Sequence, residues 1–147
     1  MDQFEQIEIL LVEVNPLDAE LTMTALEDER LANHITWVKD GAEALDYLFR
    51  MGDYASRDDV PPRLVLLDLK MPKVGGIEVL REIKSDAQLK FIPVVVMTSS
   101  DEECDVAKSY ELGANSYVVK PVDFSALADV TRQAGFYWLA INRGAAV

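Results

Sequence analysis

The chain has 147 residues, half of them hydrophobic, and a formal net charge of −12. That length suits one domain with a single substantial core, and no segment has the biased composition that stays disordered. The acid excess, with no basic stripe against it, excludes a generic binder of nucleic-acid phosphates.

The opening "MDQFEQIEILL" is acidic and lacks the basic start and cleavage site of a secretory signal. No apolar run approaches the roughly 20 residues that span a bilayer, so no membrane segment is expected. Cys104 is the only cysteine, which rules out an intrachain disulfide and makes a reducing cytoplasm the natural compartment. "IEILLVE" (7–13) reads as a buried strand. Asn15 then suits a helix N-cap, Pro16 the first helical position, and Asp18 the orphan N–H groups of the first turn. Leu17, Leu21 and Ala25 recur every fourth residue and predict one buried stripe on that helix. "HITWVKD" predicts a second strand and "GAEALDYLFRM" a second helix, with Leu45, Leu48 and Phe49 inward.

"GDYASRDDVPPR" (52–63) is a polar, proline-punctuated loop, long for its place between helix and strand. "LVLLD" (64–68) is apolar on both alternations, as a central parallel strand should be. "IEVLREIK" repeats Ile77, Leu80 and Ile83 at helical spacing, and "PVVVMT" (93–98) predicts the next buried strand. Ser100 with Glu103 has the pattern of a capping box opening a helix that Gly113 can end. "SYVVKP" predicts a short last strand, and a long helix from about Phe124 to Asn142 follows.

Strand–helix alternation throughout predicts an α/β layered domain around a parallel sheet. In such sheets ligands bind beyond the carboxyl ends of the strands, at the topological switch point. Glu13, Asp68, Thr98 and Lys120 each close a predicted strand, so the fold should gather two acids, a hydroxyl and an ammonium on one edge. Two carboxylates suit magnesium, which typically takes one or two and keeps water and room for a phosphate. A phosphoryl group in transfer needs positioning and charge stabilisation at its oxygens. The cation, Lys120 and Thr98 can each meet one such oxygen, and Asp68 can be the nucleophile that forms an aspartyl phosphate.

Four motifs in order carry a resemblance over nearly the whole chain. "LLVEVNP", "LVLLDLKMP", "VVVMTSS" and "SYVVKP" are similar to the first-strand acid, phosphoacceptor, hydroxyl and lysine–proline motifs of two-component response-regulator receiver domains. The resemblance implies a doubly wound, flavodoxin-like (CheY-like) three-layer sandwich with five parallel strands in the order 2-1-3-4-5. It implies that Asp68 accepts phosphate from a partner histidine kinase and that Thr98 binds a phosphoryl oxygen. Lys120 would form an ion pair with the phosphoaspartate, its peptide bond to Pro121 being cis, and Tyr117 would be the aromatic switch that follows Thr98; simple aromatic packing is an equal reading of Tyr117. Glu13, Asp68 and the backbone carbonyl of Lys70 would serve Mg2+. The chain departs from the family at Val14, where an acid normally contacts the metal. Losing one ligand can weaken binding more than tenfold, which needs only about 1.4 kcal/mol, so Mg2+ should bind weakly and Val14→Asp should tighten it.

The stretched loop before "LVLLDLKMP" and the terminal "FYWLAINR" resemble single-domain regulators that accompany phytochrome-type sensor kinases. Residues 1–147 would then be one receiver domain, with its core over about 7–143 and no output domain. It would be a non-enzymatic signalling protein that passes its signal by docking or through a histidine phosphotransfer protein. A competing reading is a pseudo-receiver: the same fold as a binding surface, unphosphorylated because Val14 depletes the metal site. A flavin module is rejected because "EVNP" offers no small hydroxyl or glycine residues to cradle a phosphate. A haloacid-type phosphatase is rejected because Lys70 stands where its second acid would be. Leu127, Ala134, Trp138 and Ile141 suffice to pack the last helix on the sheet, leaving Phe136, Tyr137 and Leu139 as candidates for a homodimer interface. His34 and Trp37 read as edge and packing residues, and Cys104 as an inert packing residue.

Overall fold

A computed structural model describes residues 8–32, 34–58 and 60–145. Five strands, β1 (Glu8–Val12), β2 (His34–Val38), β3 (Leu64–Leu67), β4 (Val94–Thr98) and β5 (Ser116–Val119), alternate with α1 (Pro16–Asp28), α2 (Gly41–Phe49), α3 (Gly76–Ser85), α4 (Glu103–Glu111) and α5 (Phe124–Gly135). All strand pairs are parallel, in the order β2-β1-β3-β4-β5. This is the expected architecture; Ile7, which the sequence pattern adds to the first strand, lies outside the described residues.

The period-two rule of strands divides the core in two. Leu10, Val12, Val65, Leu67, Val94 and Val96 face α2 and α3, which bring Ala44, Leu48, Val79, Leu80 and Ile83. Ile9, Leu11, Leu64, Leu66, Val95 and Met97 face α1 and α5, which bring Ala19, Leu26 and Leu127. Both faces of the central strands are therefore covered, and continuous apolar runs such as "LVLL" can be strands at all. Among the described residues no helix is long and apolar enough to cross a membrane.

Several local expectations are corrected. The buried face of α1 is Ala19, Thr22, Ala25 and Leu26, whereas Leu17 is half exposed. A four-residue step drifts by about 40° around a helix of 3.6 residues per turn, so Leu17 and Ala25 do not share one face. The Ser100–Glu103 capping box does not form. Residue 102 is the N-cap of α4, no side chain caps it, and the Ser100 hydroxyl instead donates to Asp105 Oδ2 at 2.6 Å. Gly113 does follow the helix with φ +106°, a conformation that favours glycine. Cys104 is exposed rather than packed.

The last helix reaches the expected length but changes type. After Gly135 it continues as a π-helical turn, Phe136–Ile141, in which the Asn142 N–H donates to the Tyr137 carbonyl. The wider turn holds an extra residue and rotates every later side chain. Leu139 is thereby buried with Leu26 and Leu127, and Ile141 is exposed, the reverse of the regular-helix expectation. Phe136 and Tyr137 stay about half exposed.

Candidate functional site

The carboxyl ends of the central strands are tied together by backbone. The Asp68 N–H donates to the Val12 carbonyl at 3.0 Å and the Glu13 N–H to the Val38 carbonyl at 3.1 Å, which sets the two acids side by side. The Lys120 N–H donates to the Thr98 carbonyl at 2.7 Å, so β4 and β5 deliver lysine and threonine together. Behind Asp68 the chain turns tightly: the Gly76 N–H donates to the Leu69 carbonyl, and a Cβ on Gly76 would lie 2.3 Å from the Asp68 carbonyl oxygen. Only glycine lets the start of α3 press this closely on the loop that carries Asp68.

The centre of the site is the Lys120 ammonium. Its Nζ donates to Glu13 Oε1 at 2.5 Å and Asp18 Oδ2 at 3.0 Å, and stands 3.5 Å from Asp68 Oδ2. Glu13, Asp68 and Lys120 are almost wholly withdrawn from water, whereas Asp18 keeps 21% of its side chain exposed. With the carboxylates ionised, the cluster holds three negative charges against one positive. Burial pushes the Glu13 carboxyl up to about 7, against the pull of the Lys120 hydrogen bond and charge, and the Asp68 charge adds to the rise. Burial alone would lower Lys120, but the Glu13 hydrogen bond and the surrounding carboxylates outweigh it and hold its pKa above the ordinary lysine value. A cluster with surplus buried negative charge and hard oxygen donors fits a magnesium-type cation. Among the described residues no three acidic, histidine or cysteine side chains form a ready-made metal cage.

The remaining predicted residues take up places around this centre. Both Glu13 oxygens are used by protein donors, since Oε2 accepts from the Asn15 N–H at 3.1 Å. Asp68 Oδ1 accepts from the Lys70 N–H at 3.3 Å, and the Lys70 ammonium turns away to pair with Asp105 at 3.2 Å. Thr98 is fully buried, its hydroxyl accepting from the Ser100 N–H at 3.4 Å. The Tyr117 hydroxyl donates to the Ser100 carbonyl at 2.8 Å while its ring packs against the core, so one segment touches both Thr98 and Tyr117. Val14 sits 40% exposed beside Glu13 and offers no donor atom. No peptide bond among the described residues is cis, so the expected cis Lys120–Pro121 bond is corrected to trans.

Two site residues escaped the sequence reading. Asp18 appeared only as a helix-start acid; the usable signal was an acid in the first turn of the helix that leaves the site strand. Trp37 is more than packing, since its Nε1–H donates to the Glu13 carbonyl at 2.8 Å. His34 stays at the sheet edge, 3.4 Å from Glu8, as expected.

An acid-lined carboxyl edge with a central lysine, on a 2-1-3-4-5 sheet, defines a phosphoacceptor-type signalling fold. The chain belongs to the response regulator receiver domain family, whose match spans residues 9–132. It is 44% identical over 135 residues to the probable methanogenesis regulatory protein FilR2 of Methanothrix harundinacea (strain 6Ac), covering 92% of this chain and 85% of that protein. The crystal structure of the phosphorylated cyanobacterial phytochrome response regulator RcpA superposes with a TM-score of 0.91 at 39% identity, covering 97% of this chain and all of that one. The Mn(2+)-bound form of response regulator Rcp1 superposes with a TM-score of 0.89 at 37% identity, covering 95% and 99% of the two chains.

Proposed function

We propose that this receiver takes a phosphoryl group from a sensor histidine kinase onto Asp68 and passes the signal on by docking or phosphorelay. The observation that supports it best is the Lys120 ammonium 3.5 Å from Asp68 Oδ2, inside a buried cluster with surplus negative charge. An Asp68 oxygen attacks the phosphorus of the donor phosphohistidine, the P–N bond breaks, and the electron pair leaves with the imidazole. Lys120 meets the charge on the phosphoryl oxygens, and Thr98 donates its hydroxyl to one of them once the Ser100 segment shifts. Tyr117, tied to that same segment, follows. Glu13, Asp68 and the Lys70 carbonyl would hold Mg2+, which supplies further positive charge to the phosphoryl oxygens.

The partner is a sensor histidine kinase, and the likeness to RcpA supports a phytochrome-type one; the lone cysteine is the reason for placing the exchange in the reducing cytoplasm. A histidine phosphotransfer protein is the natural onward acceptor, and the chain itself is no enzyme toward other substrates. Acetyl phosphate with magnesium, read by intact mass, tests the central claim. The wild type should gain one phosphoryl mass and Asp68→Asn none; labelling of both to the same extent would reassign the acceptor. A wild type that never labels would favour a pseudo-receiver, the same fold used only for binding.

The exposed Phe136 and Tyr137, now joined by Ile141 in place of Leu139, support a homodimer through the end of the last helix. Light scattering should give twice the monomer mass for the wild type at tens of micromolar, a typical assay range, and the monomer mass for Phe136→Glu. A monomeric wild type would end this reading.

A further inference from the structure

We infer that Asp105 is a positioning residue: by accepting the Ser100 hydroxyl it holds the segment that carries Thr98 and touches Tyr117, and so restrains phosphorylation of Asp68. This rests on the phosphoacceptor reading above and adds to it the residue that opposes the Ser100 shift which that reading requires.

Ser100 lies between β4 and α4 with every polar group engaged. Its N–H donates to Thr98 Oγ1 at 3.4 Å, its carbonyl accepts from the Tyr117 hydroxyl at 2.8 Å, and its Oγ accepts from the Glu102 N–H at 3.4 Å. The shortest of its contacts is its own hydroxyl on Asp105 Oδ2, at 2.6 Å. The Ser100 hydrogen bond is the main reason that the Asp105 carboxyl lies below its ordinary value, against the effect of burial, with Lys70 adding to the same side. The acceptor is therefore ionised, and a hydrogen bond to an ionised oxygen is about twice as strong as a neutral one. Asp105 is itself fixed in the first turn of α4, where its N–H donates to the Glu102 carbonyl at 3.0 Å. The same Oδ2 meets the Lys70 ammonium at 3.2 Å, while the Lys70 N–H donates to Asp68 Oδ1 at 3.3 Å. One carboxylate oxygen thus joins the loop of Asp68 to the segment of Thr98. Any movement of Ser100 must stretch that junction.

Two variants break the hydrogen bond from opposite sides, and a third keeps it while removing the charge. Asp105→Ala and Ser100→Ala should each label with acetyl phosphate about fivefold faster than the wild type, because the shifted arrangement becomes more populated. The double variant should be no faster than either single one. Asp105→Asn, whose amide oxygen still accepts from Ser100, should stay within about twofold of the wild type. Hydrogen exchange over residues 98–102, measured with no phosphodonor, should quicken in Asp105→Ala and not in Asp105→Asn. An acid that only favours the start of α4 would lower the melting temperature in both Asp105 variants and leave labelling unmoved. No acceleration in Asp105→Ala or Ser100→Ala, equal acceleration in Asp105→Asn, or a double variant that multiplies the single effects would each overturn the inference. If no protein labels, the phosphoacceptor reading falls, and unchanged exchange over 98–102 in Asp105→Ala separately overturns the restraint.

Discussion

Two lysines, Lys120 with its side chain nearly buried and Lys84 half-buried, hold opposite ends of the sheet, and they are held by different chemistry. Lys120, at the carboxyl end, stands among Glu13, Asp18 and Asp68. Lys84, on α3 at the amino end of β4, donates to the carbonyls of Lys90 and Ile92 and to Asn115 Oδ1 at 3.1, 2.8 and 3.0 Å. The same Asn115 oxygen also accepts from the Val94 N–H, so Lys84 ties α3 to the starts of β4 and β5. Burial pulls Lys84 down to about 8, because no anion answers its charge, whereas carboxylates lift Lys120 above its ordinary value. Three neutral oxygens for three N–H donors make a finished junction. Three carboxylates for one ammonium leave charge over, and that surplus is what a cation and a phosphoryl group can use.

The sharpest way to break this comparison is to remove each ammonium in turn. Lys120→Met should slow labelling of Asp68 by a small phosphodonor by about a hundredfold or more, the usual effect of losing one preorganised charge at a reacting oxygen. Lys84→Met should label within about twofold of the wild type, since it lies at the far end of the strands. Comparable slowing of both, followed by intact mass over time, would mean that Lys120 acts through the fold rather than through the phosphoryl group.

Stability should separate them in the other direction. Lys84→Met takes the ammonium donor from the Lys90 and Ile92 carbonyls and leaves Asn115 Oδ1 with only the Val94 N–H, and the loss should be about 1–3 kcal/mol in a denaturant titration. A loss below about 0.5 kcal/mol would show that water replaces the ammonium at no cost.

The smallest effect concerns pH. The Lys84 pKa lies near 8 in the folded chain against 10.5 ordinarily, so the unfolded chain binds more protons over that interval. Its contribution to stability is therefore least favourable below pH 8 and improves as pH rises from 8 toward 10.5. The stability difference between the wild type and Lys84→Met should widen by about 1 kcal/mol from pH 8 to 10, after discounting for partial exposure. A constant difference would place the Lys84 pKa at its ordinary value.

The residues that close the strands were legible in advance because parallel strands all end on one edge. Glu13, Asp68 and Lys120 needed only the alternation of apolar runs and helices to be placed together. Local chemistry read along the chain fared less evenly. Asn15 and Pro16 start α1 as their types demand, since capping needs only neighbouring backbone. Ser100 has the right type for a cap but spends its hydroxyl on Asp105. Asp18 shows why: an acid in a first helical turn has a sufficient local reason to be there, so nothing in its neighbourhood announces a second role.

By itself the sequence determined the order of elements, the parallel sheet and the edge on which the chemistry lies, because periodicity and strand direction are properties of the chain alone. Tertiary structure decided which side chains share one ammonium, whether Leu139 or Ile141 faces water, and that Trp37 grips the Glu13 carbonyl. Those outcomes depend on how α1 leans over β1 and on an extra residue held in one turn. Displacements of a few ångströms or one residue choose among partners that sequence spacing leaves equivalent, and only the packed structure sets them.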